Sequence, residues 1–166
     1  MRLLIIAVGE RVPDWVAKGC EQYVGRFRKP WLLTLKEVQS ERRSTNADLS
    51  KVVRSEGARL LAAVPNGWRI VAFDQAGCQH STEALTKYLG QWTDDSENIA
   101  FLVGGPDGLS KEVLNRANNI WSLSQLTLAH SMARLVILEQ FYRVFSILRG
   151  TPYHRSGSNF GQGVDT

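Results

Sequence analysis

The sequence predicts an α/β sandwich, with a mostly parallel sheet between layers of helices. Three observations carry this expectation. Short apolar runs such as LLIIAV (residues 3–8) have the length of strands buried on both faces, segments between the runs repeat their apolar residues at helical spacing, and the two kinds of segment alternate. A chain of 166 residues, 43% hydrophobic and 22% charged, has enough apolar material for one core and none of the bias of disordered chains. The expected organisation is a single domain over residues 1–155 followed by a flexible, glycine-rich tail over 156–166.

Taken in order, LLIIAV is the first strand, ended by Gly9. Val16, Cys20, Tyr23 and Phe27 then recur at helical spacing, so residues 14–28 read as a helix. WLLTLKEV (31–38) returns as a strand, and QSERRSTN (39–46), with no apolar period, reads as an exposed, mobile loop. A second helix over 47–63 rests on Leu49, Val52, Val53, Leu60 and Leu61, with Gly57 as a local weakness. WRIVAFD (68–74) is the third strand, turning at QAGC. Ser81 is placed to cap a helix carrying Leu85, Tyr88, Leu89 and Trp92, NIAFLVGG (98–105) holds the fourth strand, and Ser110 is placed to cap a short helix through Val113, Leu114 and Ala117. IWSLSQLTL (120–128) alternates only in part and fits either a strand or an ordered loop. Residues 131–148 form the most apolar helix, greasy on more than one side, as a helix facing both a core and a partner subunit would be.

Charge is uneven along the chain. Lys and Arg outnumber Asp and Glu 13 to 7 in residues 1–69 and are outnumbered 7 to 9 thereafter, for a net charge of +4. Any basic surface belongs to the first half, where Arg26, Arg28 and Lys29 form one cluster and Arg42 and Arg43 another; such cations bind phosphate by charge with little sequence reading. Cys20 and Cys78 form no close pair or CxxC, which suits a reducing compartment, and both read as core residues. The apolar start is too short for a signal peptide or for the ~20 residues that span a bilayer. The expectation is therefore a cytoplasmic protein. His80, His130 and His154 lie apart without ligand spacing, so no metal site is expected.

FLVGGPDGLS (101–110) raises the question of what its glycine turn holds. In GGPDGLSK the lysine follows the serine, the wrong order and too late for a phosphate loop, and the GxGxxG spacing of a dinucleotide fold is missing. A nucleoside triphosphate or NAD is disfavoured, which leaves either a tight turn or a site for another small molecule. Three chain segments, Phe73-Asp74, Gly104-Gly105 and LSQLTL (123–128), can converge at the carboxyl edge of a parallel sheet, where open α/β sheets place ligands.

The order VGERVPDWVAKGCEQY, NADLSKVVRSEG, VAFDQAG, LVGGPDGLS, WSLSQLTLAHSMARLVILEQFYRVFSI and PYHR resembles the ribosomal RNA large subunit methyltransferase H family of the SPOUT superfamily, from residue 1 to about 155. The resemblance implies a methyltransferase that uses S-adenosyl-L-methionine to methylate N3 of a pseudouridine in helix 69 of bacterial 23S ribosomal RNA on the assembled 70S ribosome. It also implies a homodimer and a SPOUT-type α/β/α sandwich with a carboxyl-terminal trefoil knot, which the general rule against threaded chains would not predict. Carried onto this chain, the cofactor contacts fall on Phe73, Gly104, Leu123, Ser124, Gln125, Leu126, Thr127 and Leu128, most of them through the backbone. Position 73 is commonly leucine in the family, so Phe73 reshapes the pocket wall. Gly105, Pro106 and Gly108 would hold the knot's tight crossing rather than touch the cofactor.

The chemistry needs a nitrogen in line with the methyl carbon and a place for its proton to go. His154 is the first candidate for proton acceptor, because an imidazole titrates near neutrality. Tyr153 either stacks on a splayed base or pins the terminus to the core. Arg143, four residues from Glu139 on one helix face, either forms a surface ion pair or, in the family reading, holds RNA phosphate or the surroundings of the transferred base. Arg134 is placed to complement RNA backbone and His130 to position the cofactor loop. Two competing readings are a ribosome- or RNA-binding protein without catalysis and a SPOUT methyltransferase acting on transfer RNA.

Overall fold

The computed structural model describes residues 1–154 apart from Glu10 and Asn46, and His154 in its backbone only. The expected tail at 156–166 lies outside the described residues. Five parallel strands, β1 (Arg2–Val8), β2 (Leu32–Val38), β3 (Arg69–Gln79), β4 (Ile99–Val103) and β5 (Asn119–Ser122), form one sheet in the order β2-β1-β4-β3-β5. Helices α1 (Asp14–Val24), α3 (Thr82–Asp94) and α5 (His130–Leu148) cover one face; α2 (Leu49–Ala62) and α4 (Lys111–Arg116) cover the other.

The apolar runs form the centre because both their faces are covered. In β1, Leu3, Ile5 and Ala7 join the core under α1, α3 and α5, while Leu4, Ile6 and Val8 join the core under α2 and α4. Every residue of β4 is buried. Ser81 and Ser110 cap α3 and α4 as expected, through their hydroxyls to the amides of Ala84 and Val113. The ambiguous IWSLSQLTL divides: its first residues complete β5 and the rest is loop.

Three local expectations need correction. The loop after β2 is fastened rather than mobile: Arg43 pairs with Glu56 and Asp107, and Glu41 with Arg59. Gly57 is a packing requirement rather than a weakness, since a Cβ there would lie 2.2 Å from Ser110 Oγ and 2.9 Å from Ser110 Cβ, where α2 crosses the start of α4. Cys20 is buried but Cys78 is exposed, because the β3–β5 ladder shifts register between Phe73 and Cys78 and the chain bulges away from the core there. This bulge also takes up the turn expected at QAGC.

Candidate active site

Three chain segments meet at the carboxyl edge of the sheet. Phe73, Asp74 and Gln75 come from the bulge in β3, Gly104 to Gly108 from the turn after β4, and Ser122 to Ser124 and Leu126 to Leu128 from the end of β5 and its following loop; together with His130 and Ala133 at the start of α5 they line a cavity of about 470 Å³. That volume is in the range of small-molecule sites. The turn is drawn in so tightly that a Cβ on Gly104 would lie 2.6 Å from the backbone carbon and oxygen of Gly108, which leaves glycine alone at this position. Gly108 itself has φ +82°, a conformation glycine adopts without strain.

Local hydrogen bonds hold the loop after β5 in shape. Ser122 Oγ donates to the Ser124 carbonyl at 3.1 Å, Ser124 Oγ accepts from the Leu126 amide at 3.0 Å, and Gln75 Nε2 donates to Thr127 Oγ1 at 3.1 Å. Leu126 is nonetheless 72% exposed, an apolar side chain held out by an ordered backbone. Of the eight cofactor residues expected from sequence, Phe73, Gly104, Leu123, Ser124, Leu126, Thr127 and Leu128 line the cavity, and Gln125 does not. Gly105, Pro106 and Gly108 line it as well.

The turn is braced from outside. Glu56, 1% exposed, accepts from Nη1 and Nη2 of Arg43 and from the Glu41 amide, while Nε of Arg43 donates to Asp107 at 2.7 Å. Sequence reading missed this clamp, although a signal existed: Glu56 falls between Val52 and Leu60 on the apolar stripe of α2, where a lone carboxylate calls for a partner. Arg134 is a similar case. It is fully buried, donates to the Val8 and Gly9 carbonyls at 2.9 and 3.2 Å and pairs with Glu37, so it ties α5 to the end of β1 and is closed to RNA. His130 sits at the cavity rim. Burial chiefly, then the charges of Arg134 and Arg43, hold its pKa below the ordinary value, so it is neutral at physiological pH.

Of the expected catalytic residues, Arg143 and Tyr153 gather elsewhere. Arg143 pairs with Glu139 at 2.6 Å and lies over the Tyr153 ring at 5.3 Å, while the Tyr153 hydroxyl is 3.1 Å from that of Tyr23 and reaches Glu139 at 3.4 Å. Gln140 extends the chain of bonds from Glu139 to Thr82 on α3. Burial, the hydrogen bond to Tyr23 and the charge of Glu139 push the Tyr153 phenol well above its ordinary pKa, so it does not serve as a base near neutrality. The side chain of His154 lies outside the described residues. Nine to thirteen residues of α5 separate His130 from Glu139 and Arg143, roughly 13–20 Å along the helix. One chain therefore presents its cavity and this polar cluster at different levels of α5.

The family described as "Predicted SPOUT methyltransferase" matches residues 1–154. Proteins named ribosomal RNA large subunit methyltransferase H from Thioalkalivibrio sulfidiphilus and Pseudomonas fluorescens are each 44% identical over 93% of this chain and 99% and 100% of their own; that of Marinomonas sp. is 41% identical over 93% and 100%. The chain belongs to this methyltransferase family. It is an enzyme of the SPOUT class, and the resemblance read from its motifs extends over the whole described fold. A solved structure concerned with 2-OH methylation of C/U34 on tRNA is similar in fold, with a TM-score of 0.50 over 90% of this chain and 97% of the other, at 20% identity.

Proposed function

We propose that this methyltransferase uses S-adenosyl-L-methionine to methylate N3 of a pseudouridine in helix 69 of 23S ribosomal RNA, on the assembled 70S ribosome, as a cytoplasmic homodimer with a knotted carboxyl-terminal half. The observation that carries the reading is the cavity at the sheet edge: three segments named by the family resemblance line it, and its walls suit an adenosyl group. Backbone groups of the loop after β5 that are not used in its own bonds could meet the adenine edge, Phe73, Leu123, Leu126 and Leu128 offer apolar walls, and the Gly104 turn fits a close backbone approach. Among the described residues that line it there is no Lys or Arg, a lining that suits an adenosyl group better than a triphosphate.

When bound, the cofactor supplies a methyl carbon on a sulfonium, the leaving group being a neutral thioether. The protein's part is to orient the base and to move one proton. Arg143, whose guanidinium is fixed by Glu139 and by the Tyr153 ring, would favour the anionic form of the base at N3. Tyr153, held neutral, would stack on the base or donate to it. His154 would take the N3 proton. In this reading the polar cluster of one protomer faces the cavity of the other, which would close the distance along α5.

The test is transfer of labelled methyl to 70S ribosomes from cells lacking their own enzyme, with isolated 50S subunits and ribosomes lacking the helix 69 pseudouridines alongside. Labelling of the 70S particle alone, lost without pseudouridine, is expected. Labelling of transfer RNA instead, or of nothing while cofactor still binds, would overturn the ribosomal assignment.

A further inference from the structure

A second cavity of about 430 Å³ opens beside the first, lined by Val8, Gly9, Gln39, Ser40 and Pro106, by the arginines Arg11, Arg42 and Arg43, and by His130. Pro106 and His130 line both cavities, so the two share a wall. Among the described residues that line it there is no carboxylate.

The arginines divide into two kinds. Arg43 is spent on Glu56 and Asp107 and serves to fasten the loop. Arg11 and Arg42 are exposed and make no ion pair with any described residue, yet the chain is held on both sides of Arg42 and at Gly9, shortly before Arg11. Arg42 stands between Glu41, whose amide and carboxylate are bound by Glu56, Ser55 and Arg59, and Arg43 itself. Arg11 follows two residues after Gly9, whose amide donates to the Val38 carbonyl at 2.9 Å and whose own carbonyl is held by the buried Arg134. Folding has thus already ordered the chain on both sides of Arg42 and as far as Gly9 at the edge of the hollow, which lowers the entropy cost of closing on an anion.

We propose that this cavity is a phosphodiester seat, with Arg11 and Arg42 gripping the RNA strand that carries the methylated base next to the cofactor cavity. The inference rests on the ribosomal RNA reading above and adds to it the place where the strand is anchored. Guanidinium groups suit phosphate oxygens because two parallel N–H bonds match their geometry. The shared wall means that a phosphate held here lies close enough to the cofactor cavity to belong to the target nucleotide or an immediate neighbour.

The test compares the full chain with the double variant Arg11→Gln, Arg42→Gln and with Arg116→Gln on α4 as a control, all checked for an unchanged thermal transition. Three quantities are measured: binding of a fluorescent helix 69 hairpin at several salt concentrations, binding of S-adenosylmethionine by calorimetry, and kcat and KM on 70S ribosomes. The double variant should bind the hairpin about tenfold or more weakly, with the salt slope reduced by about 1.5, as two lost phosphate contacts require. Its KM should rise in step, kcat and cofactor affinity should hold, and Arg42→Lys should restore part of the binding. Equal hairpin affinity in the double variant and the wild type would overturn the proposal. So would a loss of cofactor affinity with hairpin binding intact, since the anion would then be the cofactor's carboxylate. If the wild type labels no ribosome the functional reading fails, and the hairpin comparison still decides the seat.

Discussion

Gly57 shows how one residue changes meaning between an isolated helix and a packed one. On an exposed helix, alanine in place of glycine would stabilise by about 1 kcal/mol. Here the new methyl would meet Ser110 at less than 3.0 Å, and Cβ of that serine has no rotation that removes it. Gly57→Ala should therefore destabilise the protein by about 1–3 kcal/mol in urea titration, and the added change Ser110→Gly should recover part of the loss. His130 offers a second residue-level prediction. Its folded pKa lies below the ordinary 6.5 through burial and the neighbouring arginines, so the unfolded chain takes up the proton first. The stability contributed by its neutral form is present above pH 6.5 and is lost as pH falls from there through the folded value. His130→Asn should flatten the decline just below pH 6.5; an unchanged slope would show that the ring is not held neutral.

The element that matters most is the turn after β4, which is shaped by its neighbours as much as by its own residues. A Cβ on Gly104 would strike Gly108, Asp107 is held by Arg43, and Arg43 is held by Glu56 on α2. Gly104→Ala should push the two limbs of the turn apart, weakening S-adenosylmethionine binding by about tenfold or more while the helical signal in circular dichroism persists. The cost falls on the cavity because the turn forms its wall, whereas the buried strands lie on the other side of Val103. The same element explains why a glycine motif was easy to see and hard to interpret. Its three glycines marked a turn, but the clamp that gives the turn its shape comes from residues 41, 43 and 56, far away in sequence.

At the scale of the whole molecule, the cavity and the polar cluster of α5 lie at different levels of one long helix. The proposed dimer would join them, with each site drawing its cavity from one protomer and its Arg143 from the other. Mixing is the decisive measurement. At cofactor concentrations well below the wild-type Kd, a Gly104→Ala protomer and an Arg143→Ala protomer should each retain no more than about a tenth of wild-type activity alone, yet recover up to about a quarter on co-expression, because half of randomly formed pairs hold one intact site of two. Sites built within a single chain would show no recovery.

The sequence by itself determined the alternation of strands and helices, both serine caps and the segments that line the cavity, because these depend on local periodicity and on turn chemistry that a few neighbouring residues specify. Its ordered motifs also determined the family. Tertiary structure decided what those residues touch: that Gly57 is a contact point, that Arg134 lies buried against the end of β1, that Arg43 is a brace and Arg42 faces an open hollow, and that Cys78 is outside. The physical reason is burial. A charge or a glycine has the same local propensity wherever it falls, but its partners and its energetic cost are set by residues that only the crossing of distant segments brings within a few ångströms.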